Sequence, residues 1–162
     1  MGVSADASYV LSGGMGALGL VTAQALAEEG AKSLLLMSRS GRPGAEVQNQ
    51  WRWLQESALQ VTAWACDVSS ATKAELQKRL LAPSATDGPR KKCPVRGILH
   101  LAGVLDDAML PQLTRQHLER AYAAKVVGAK NLHAAANLDS LDFFLLYSST
   151  AALLGAAGRD DR

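Results

Sequence analysis

The stretch Tyr9-Val10-Leu11-Ser12-Gly13-Gly14-Met15-Gly16-Ala17-Leu18-Gly19 narrows the possible folds more than any other part of this chain. A short apolar run enters a glycine-rich turn. A helical pattern leaves it and runs to about Glu29, with Gly30 at the C-cap position. Within the turn, Gly14-x-Gly16-x-x-Gly19 has the spacing of a dinucleotide cradle. The first glycine permits a tight turn, the second lets backbone approach a pyrophosphate, and the third lets helix and strand pack closely. Phosphates placed there meet the free N–H groups and the positive end of the helix dipole. A ligand-free turn could use the same glycines, but a strand before them and a helix after them favour the cradle.

The next apolar run, Ser33-Leu34-Leu35-Leu36-Met37, has no alternation, which is the pattern of a strand buried on both faces. It ends in Ser38-Arg39-Ser40-Gly41. About twenty positions past the glycines, an acid would hold a ribose 2′-hydroxyl and an arginine would accommodate a 2′-phosphate. Arg39 stands there with a hydroxyl on either side, so the spacing favours NADP over NAD.

Residues 46–59 carry Val47, Trp51, Leu54 and Ala58 at helical spacing, and residues 61–66 form a third strand ending in Cys66-Asp67-Val68. Asp67 could accept from an adenine amino group or cap the following helix, with Ser69 and Ser70 sharing that work. A helix is expected over 71–81, then a turn-rich connection from Pro83 to Pro94. Residues 95–104 are a fourth strand and its turn, in which small Ala102 and Gly103 would let a ring lie against the backbone. His100, inside an apolar strand, reads first as a hydrogen-bonded core residue and second as a catalytic one. One long helix is expected over 114–137, with Tyr122 and Gly128 a turn to either side of Lys125. A fifth strand over 141–147 delivers Ser148-Ser149-Thr150 to its carboxyl end.

Strands alternating with helices, joined by right-handed crossovers, predict an α/β fold with a doubly wound parallel sheet of the Rossmann type in order 3-2-1-4-5. The glycine turn, Ser38-Arg39, Asp67, Ala102-Gly103 and Ser148-Ser149 then all fall at the carboxyl ends of strands. Ligands bind at that edge, near the switch point between strands 1 and 4.

With 162 residues the chain is expected to be a single domain spanning 1–162. A net charge of +2 without a basic stripe argues against nucleic acid as a partner, and Arg90-Lys91-Lys92 reads as a solvated loop. Cys66 and Cys93 have no metal-ligand spacing and read as reduced thiols. No apolar run is long enough to span a bilayer, and the first residues lack a signal region. The expectation is a soluble, cytoplasmic domain, with organelle import left open.

These motifs resemble the ketoreductase domains of modular polyketide synthases and animal-type fatty acid synthases, within the short-chain dehydrogenase/reductase group. The resemblance rests on residues 12–19, Ser38-Arg39-Ser40-Gly41, Cys66-Asp67-Val68, residues 100–107, residues 124–129 and Leu141-Asp142-Phe143-Phe144 through Ser149. Lys125 occupies the position at which these ketoreductases exchange the Asn and Lys of ordinary short-chain dehydrogenases.

The resemblance implies hydride delivery from NADPH to the β-keto group of an acyl thioester tethered to an acyl carrier protein, with other synthase domains as neighbours. It implies that Ser12, Gly14, Met15, Gly16, Leu18, Gly19, Ser38, Arg39, Ser40, Asp67, Val68, Ala102 and Gly103 hold the cofactor. Ser149 would hydrogen-bond the substrate carbonyl, and Lys125 would order the site and lower the pKa of a proton-donating tyrosine. Leu105-Asp106-Asp107 resembles the loop of ketoreductases that form the D-configured alcohol. The family places its tyrosine thirteen residues after that serine, where Arg162 stands. The expectation is therefore a chain lacking its acid and the last two strands of the family, inactive alone. The alternatives are a non-catalytic NADP-binding or scaffolding module and, less favoured by Lys125, a reductase of free small molecules.

Overall fold

A computed structural model describes residues 2–81, 93–104, 106 and 110–149. Its sheet is built from β1 (Ser8–Ser12), β2 (Ser33–Ser38), β3 (Gln60–Ala65), β4 (Val95–His100) and β5 (Phe143–Leu146). All neighbouring strands are parallel, in the order β3-β2-β1-β4-β5. The connections carry α1 (Ala17–Glu28), α2 (Gln48–Glu56), α3 (Lys73–Leu81), α4 (Arg115–Tyr122) and α5 (Gly128–Ala135). This is the expected architecture.

Alternation along the strands splits the core into two layers. Tyr9, Leu11, Leu34 and Leu36 face one side and pack with Leu20 and Ala23 of α1 and Leu54 of α2. Val10, Leu35, Met37 and Ile98 face the other side, against Leu76 and Leu80 of α3 and Leu132 and Ala135 of α5. Burial on both faces explains why β2 carries no polar alternation.

Register brings the strand ends level. Ser12 lies beside Met37 on one side and His100 on the other, and His100 lies beside Leu146. Everything that follows a strand at its carboxyl end therefore emerges on one edge. The loop calls Arg90-Lys91-Lys92, Thr150 and Arg162, and Leu105 and Asp107 of the acidic loop, lie outside the described residues.

The long helix expected over 114–137 is not continuous α-helix. α4 passes through a π turn at Ala123–Val127 before α5 begins. The extra residue changes the helical phase. Among the described residues α4 buries none of its side chains, whereas α5 buries Gly128, Leu132 and Ala135. β5 is also shorter than expected, running from Phe143 to Leu146 after a 3-10 turn at 138–140, with Arg96 donating to the Asp142 carboxylate just before it.

Candidate functional site

The glycine turn divides its work differently from the motif's usual assignment. The left-handed residue is Gly13, at φ +74°, which the Gly-x-Gly-x-x-Gly spacing does not include. Gly14 instead presses on β2: a Cβ there would lie 2.8 Å from the Leu11 carbonyl and 3.1 Å from Leu36. Its N–H donates to the Met37 carbonyl at 3.0 Å. A Cβ on Gly19 would stand 2.6 Å from Gly14 Cα, so the third glycine lets α1 close on the turn itself rather than on the strand. Gly16 is the N-cap of α1, and its missing Cβ would meet only the Gly13 carbonyl, at 3.5 Å. No side chain caps α1 and no acid lies in its first turn, leaving its N–H groups and dipole for an anion.

A cleft of about 730 Å³ opens beside this turn. Gly16, Leu18 and Gly19 line it together with Ser38 and Arg39, Asp67 and Val68, and Ala102 and Gly103. A second hollow of about 570 Å³ shares Gly16, Ser38 and Arg39 and adds Met15, Ser40 and Arg42. Arg39 therefore stands between two spaces. The open turn, the uncapped helix and the guanidinium offer the donors that the anionic groups of a dinucleotide require.

Other expected contacts are engaged elsewhere. Ser12 is fully buried, and its hydroxyl is 2.6 Å from His100 Nδ1. Asp67 Oδ1 accepts from the Ser69 N–H at 2.9 Å and the Ser69 hydroxyl at 2.6 Å. These bonds to Ser69, with Arg39 nearby, hold the Asp67 carboxyl below its ordinary range. Asp67 thus caps its own turn, while Thr72 and Glu75 cap α3 by reciprocal side-chain bonds. Burial, reinforced by Asp67 and Glu75, pushes the Cys66 thiol at the cleft up to about 11.

At the far end, Lys125 Nζ donates to the Tyr147 carbonyl at 3.0 Å. Its stem passes over Gly103, where a Cβ would lie 2.8 Å from Lys125 Cε. Lys125 and the segment leading to Ser148 and Ser149 are thereby joined at the edge beyond β5. Tyr122, expected as a packing residue, is 55% exposed. His100 is a core residue, as the first of its two readings has it: it is 2% exposed and bonded at both ring nitrogens.

Two arginines were not singled out by sequence. Arg42 follows Ser40 by two residues and reaches the second hollow because the Ser40 hydroxyl donates to its carbonyl at 2.9 Å, curling the loop. Arg120 of α4 lines the cleft and pairs with Asp106 at 3.1 Å. No local signal marks Arg120, since its facing depends on how α4 docks.

A parallel doubly wound sheet, with a glycine turn and a cleft at its carboxyl edge, defines a nucleotide-binding α/β domain of the Rossmann class. More narrowly, the chain belongs to the KR domain family, whose model matches residues 7–161. It is 37% identical over 154 residues to the phthioceranic/hydroxyphthioceranic acid synthase of Mycobacterium tuberculosis, covering 95% of this chain and 7% of that protein. It is 36% identical over 156 residues to a highly reducing polyketide synthase of Cordyceps militaris, covering 96% of this chain and 6% of that one. Among solved structures, an A-type ketoreductase from a modular polyketide synthase aligns over 94% of this chain and 31% of its own, at TM-score 0.76 and 34% identity. The chain therefore spans a small part of these large synthases. Among the described residues no helix is long and apolar enough to cross a membrane.

Proposed function

We propose that this chain forms the cofactor-binding part of an NADPH-dependent ketoreductase that reduces a β-ketoacyl thioester on an acyl carrier protein within a polyketide-type synthase. The observation that carries this reading is a cleft lined by Arg39 and by Gly103, with the Lys125 stem passing over Gly103 toward the Tyr147 carbonyl. Kinship to polyketide synthases supports the substrate class.

In this reading the bound nicotinamide supplies the hydride. The chain's own residues do the rest. Gly16 and the first N–H groups of α1 receive the pyrophosphate, and Met15 and Leu18 flank it. Arg39, with Ser38 and Ser40, holds the 2′-phosphate. Asp67 and Val68 border the adenine, and Ala102 and Gly103 border the nicotinamide ribose. Ser149 donates to the substrate carbonyl as negative charge develops there. Lys125 orders that end of the site.

NADPH is expected to bind more tightly than NADH. Arg39→Ala should weaken NADPH by about 1.5–3 kcal/mol, the scale of a charged hydrogen bond, and leave NADH nearly unchanged. Fluorescence titration with both cofactors checks this, and equal losses would refute the 2′-phosphate assignment. Turnover of carrier-bound against free β-keto substrates, measured on a polypeptide that adds the family's tyrosine segment to this chain, separates a synthase reductase from a small-molecule one. Tight NADPH binding by that polypeptide without turnover of either substrate would favour the binding module.

A further inference from the structure

The Lys125 ammonium donates to the Tyr147 carbonyl just past β5, yet it grows from an irregular part of its helix. A π turn is wider than an α turn, loosens the i→i−4 ladder and lets a carbonyl accept a side-chain donor. Here the donor is His100. Its Nε2 lies 3.1 Å from the Lys125 carbonyl, and its Nδ1 lies 2.6 Å from the Ser12 hydroxyl. A carbonyl can only accept, so Nε2 carries the proton. In a neutral ring Nδ1 is then the acceptor, and Ser12 donates to it. Burial above all, opposed by the bonds to backbone carbonyls and aided by the Lys125 charge, lowers the imidazole's affinity for a second proton.

The surroundings preserve this contact. A Cβ on Gly128 would stand 3.1 Å from His100 Cε1 and 2.7 Å from Val68, so the start of α5 must be bare for the π turn to approach the ring. The ring belongs to the last residue of β4, level with Ser12 of β1. It therefore ties the turn to the two central strands at the level where the cleft begins.

We propose that His100 is a positioning residue for Lys125: as a neutral Nε2–H imidazole backed by Ser12, it pins the Lys125 carbonyl and so fixes the turn from which the ammonium reaches Tyr147. The functional weight of this arrangement rests on the reading above, in which Lys125 serves the reducing end. The geometry can be tested apart from that reading.

The first measurement is a long-range proton–nitrogen spectrum of the purified 162-residue chain near pH 7.5. The expected pattern for His100 is the Nε2–H tautomer, and an Nδ1–H tautomer or an imidazolium would overturn the proposal. The second compares His100→Gln, whose amide nitrogen replaces Nε2–H, with His100→Asn, whose oxygen can still accept from Ser12 but which does not reach the carbonyl. Competitive acetylation, read by mass spectrometry, gives the modification rate of Lys125 relative to Lys130 of α5. His100→Asn should raise that ratio about fivefold, the scale of one lost hydrogen bond, and His100→Gln should keep it within about twofold. General loosening accelerates both lysines and leaves the ratio unchanged, so equal ratios in the two variants would refute the positioning role. Failure of NADPH to bind would overturn the functional reading and leave these ratios as they are.

Discussion

Gly14 and Gly16 stand two residues apart and answer to different constraints. Gly14 is crowded by Leu11 and Leu36, so Gly14→Ala should lower stability by about 1–3 kcal/mol, the usual cost of overpacking. Gly16 has ordinary clearance and φ −82°, so Gly16→Ala should leave the unfolding midpoint within about 0.5 kcal/mol. Its methyl would project where a pyrophosphate must approach, and NADPH affinity should fall on the order of tenfold. Urea melts together with cofactor titrations separate the two effects, and a large stability loss in Gly16→Ala would contradict this division. The spacing made the glycine turn between β1 and α1 legible in the sequence. It did not reveal which glycine turns left-handed, because adjacent glycines look alike in a sequence, whereas Gly13 has φ +74° and backs onto Ala102 and Gly14 backs onto Leu11 and Leu36.

At the scale of elements, the helix that carries Lys125 is two helices with different attachments. α5 packs through Leu132 and Ala135 into the core, while Leu118 and Tyr122 of α4 are 58% and 55% exposed. Amides of Arg115–Tyr122 should therefore exchange with deuterium faster than those of Gly128–Ala135, by well over an order of magnitude where burial controls local opening. Equal protection along both would mean that α4 is held as firmly as α5. The π turn was invisible in the sequence for a physical reason. A one-residue phase change is detected only when both flanking segments have an apolar face to compare, and α4 has no buried face among the described residues. The strands, by contrast, were legible because β1, β2 and β4 are nearly continuous apolar runs that only a doubly covered sheet accommodates.

At the scale of the whole molecule, His100 in the core and Cys66 at the cleft resist ionisation in opposite directions. His100 has a folded pKa below its ordinary 6.5, so the unfolded chain binds the proton more readily. Its contribution to stability is present above about pH 6.5 and is lost as pH falls through the folded value. Asp67, Glu75 and Asp142, each held below the carboxylate range by hydrogen bonds, add losses at lower pH. Cys66 works on the alkaline side, with a thiol raised from 9.0 to about 11. Its contribution is present below pH 9 and is lost as pH rises toward 11. Urea midpoints across pH 5–10 should form a plateau near neutrality, with His100→Gln flattening the acid limb and Cys66→Ala the alkaline one. An acid limb unchanged in His100→Gln would assign it wholly to the carboxylates.

The sheet's two separately packed faces have a consequence for how such a chain can change over generations. The glycine turn and α1 rest on the layer of Leu11, Leu34 and Leu36, whereas the Lys125 helix rests on the layer of Val10, Leu35 and Ile98. Backbone divides these layers, so a side chain repacked on one is only weakly felt on the other. Under the proposed function, preference for one coenzyme and competence in the chemistry then lie on nearly independent mutational axes. A lineage could drift along either one without first crossing a valley in the other.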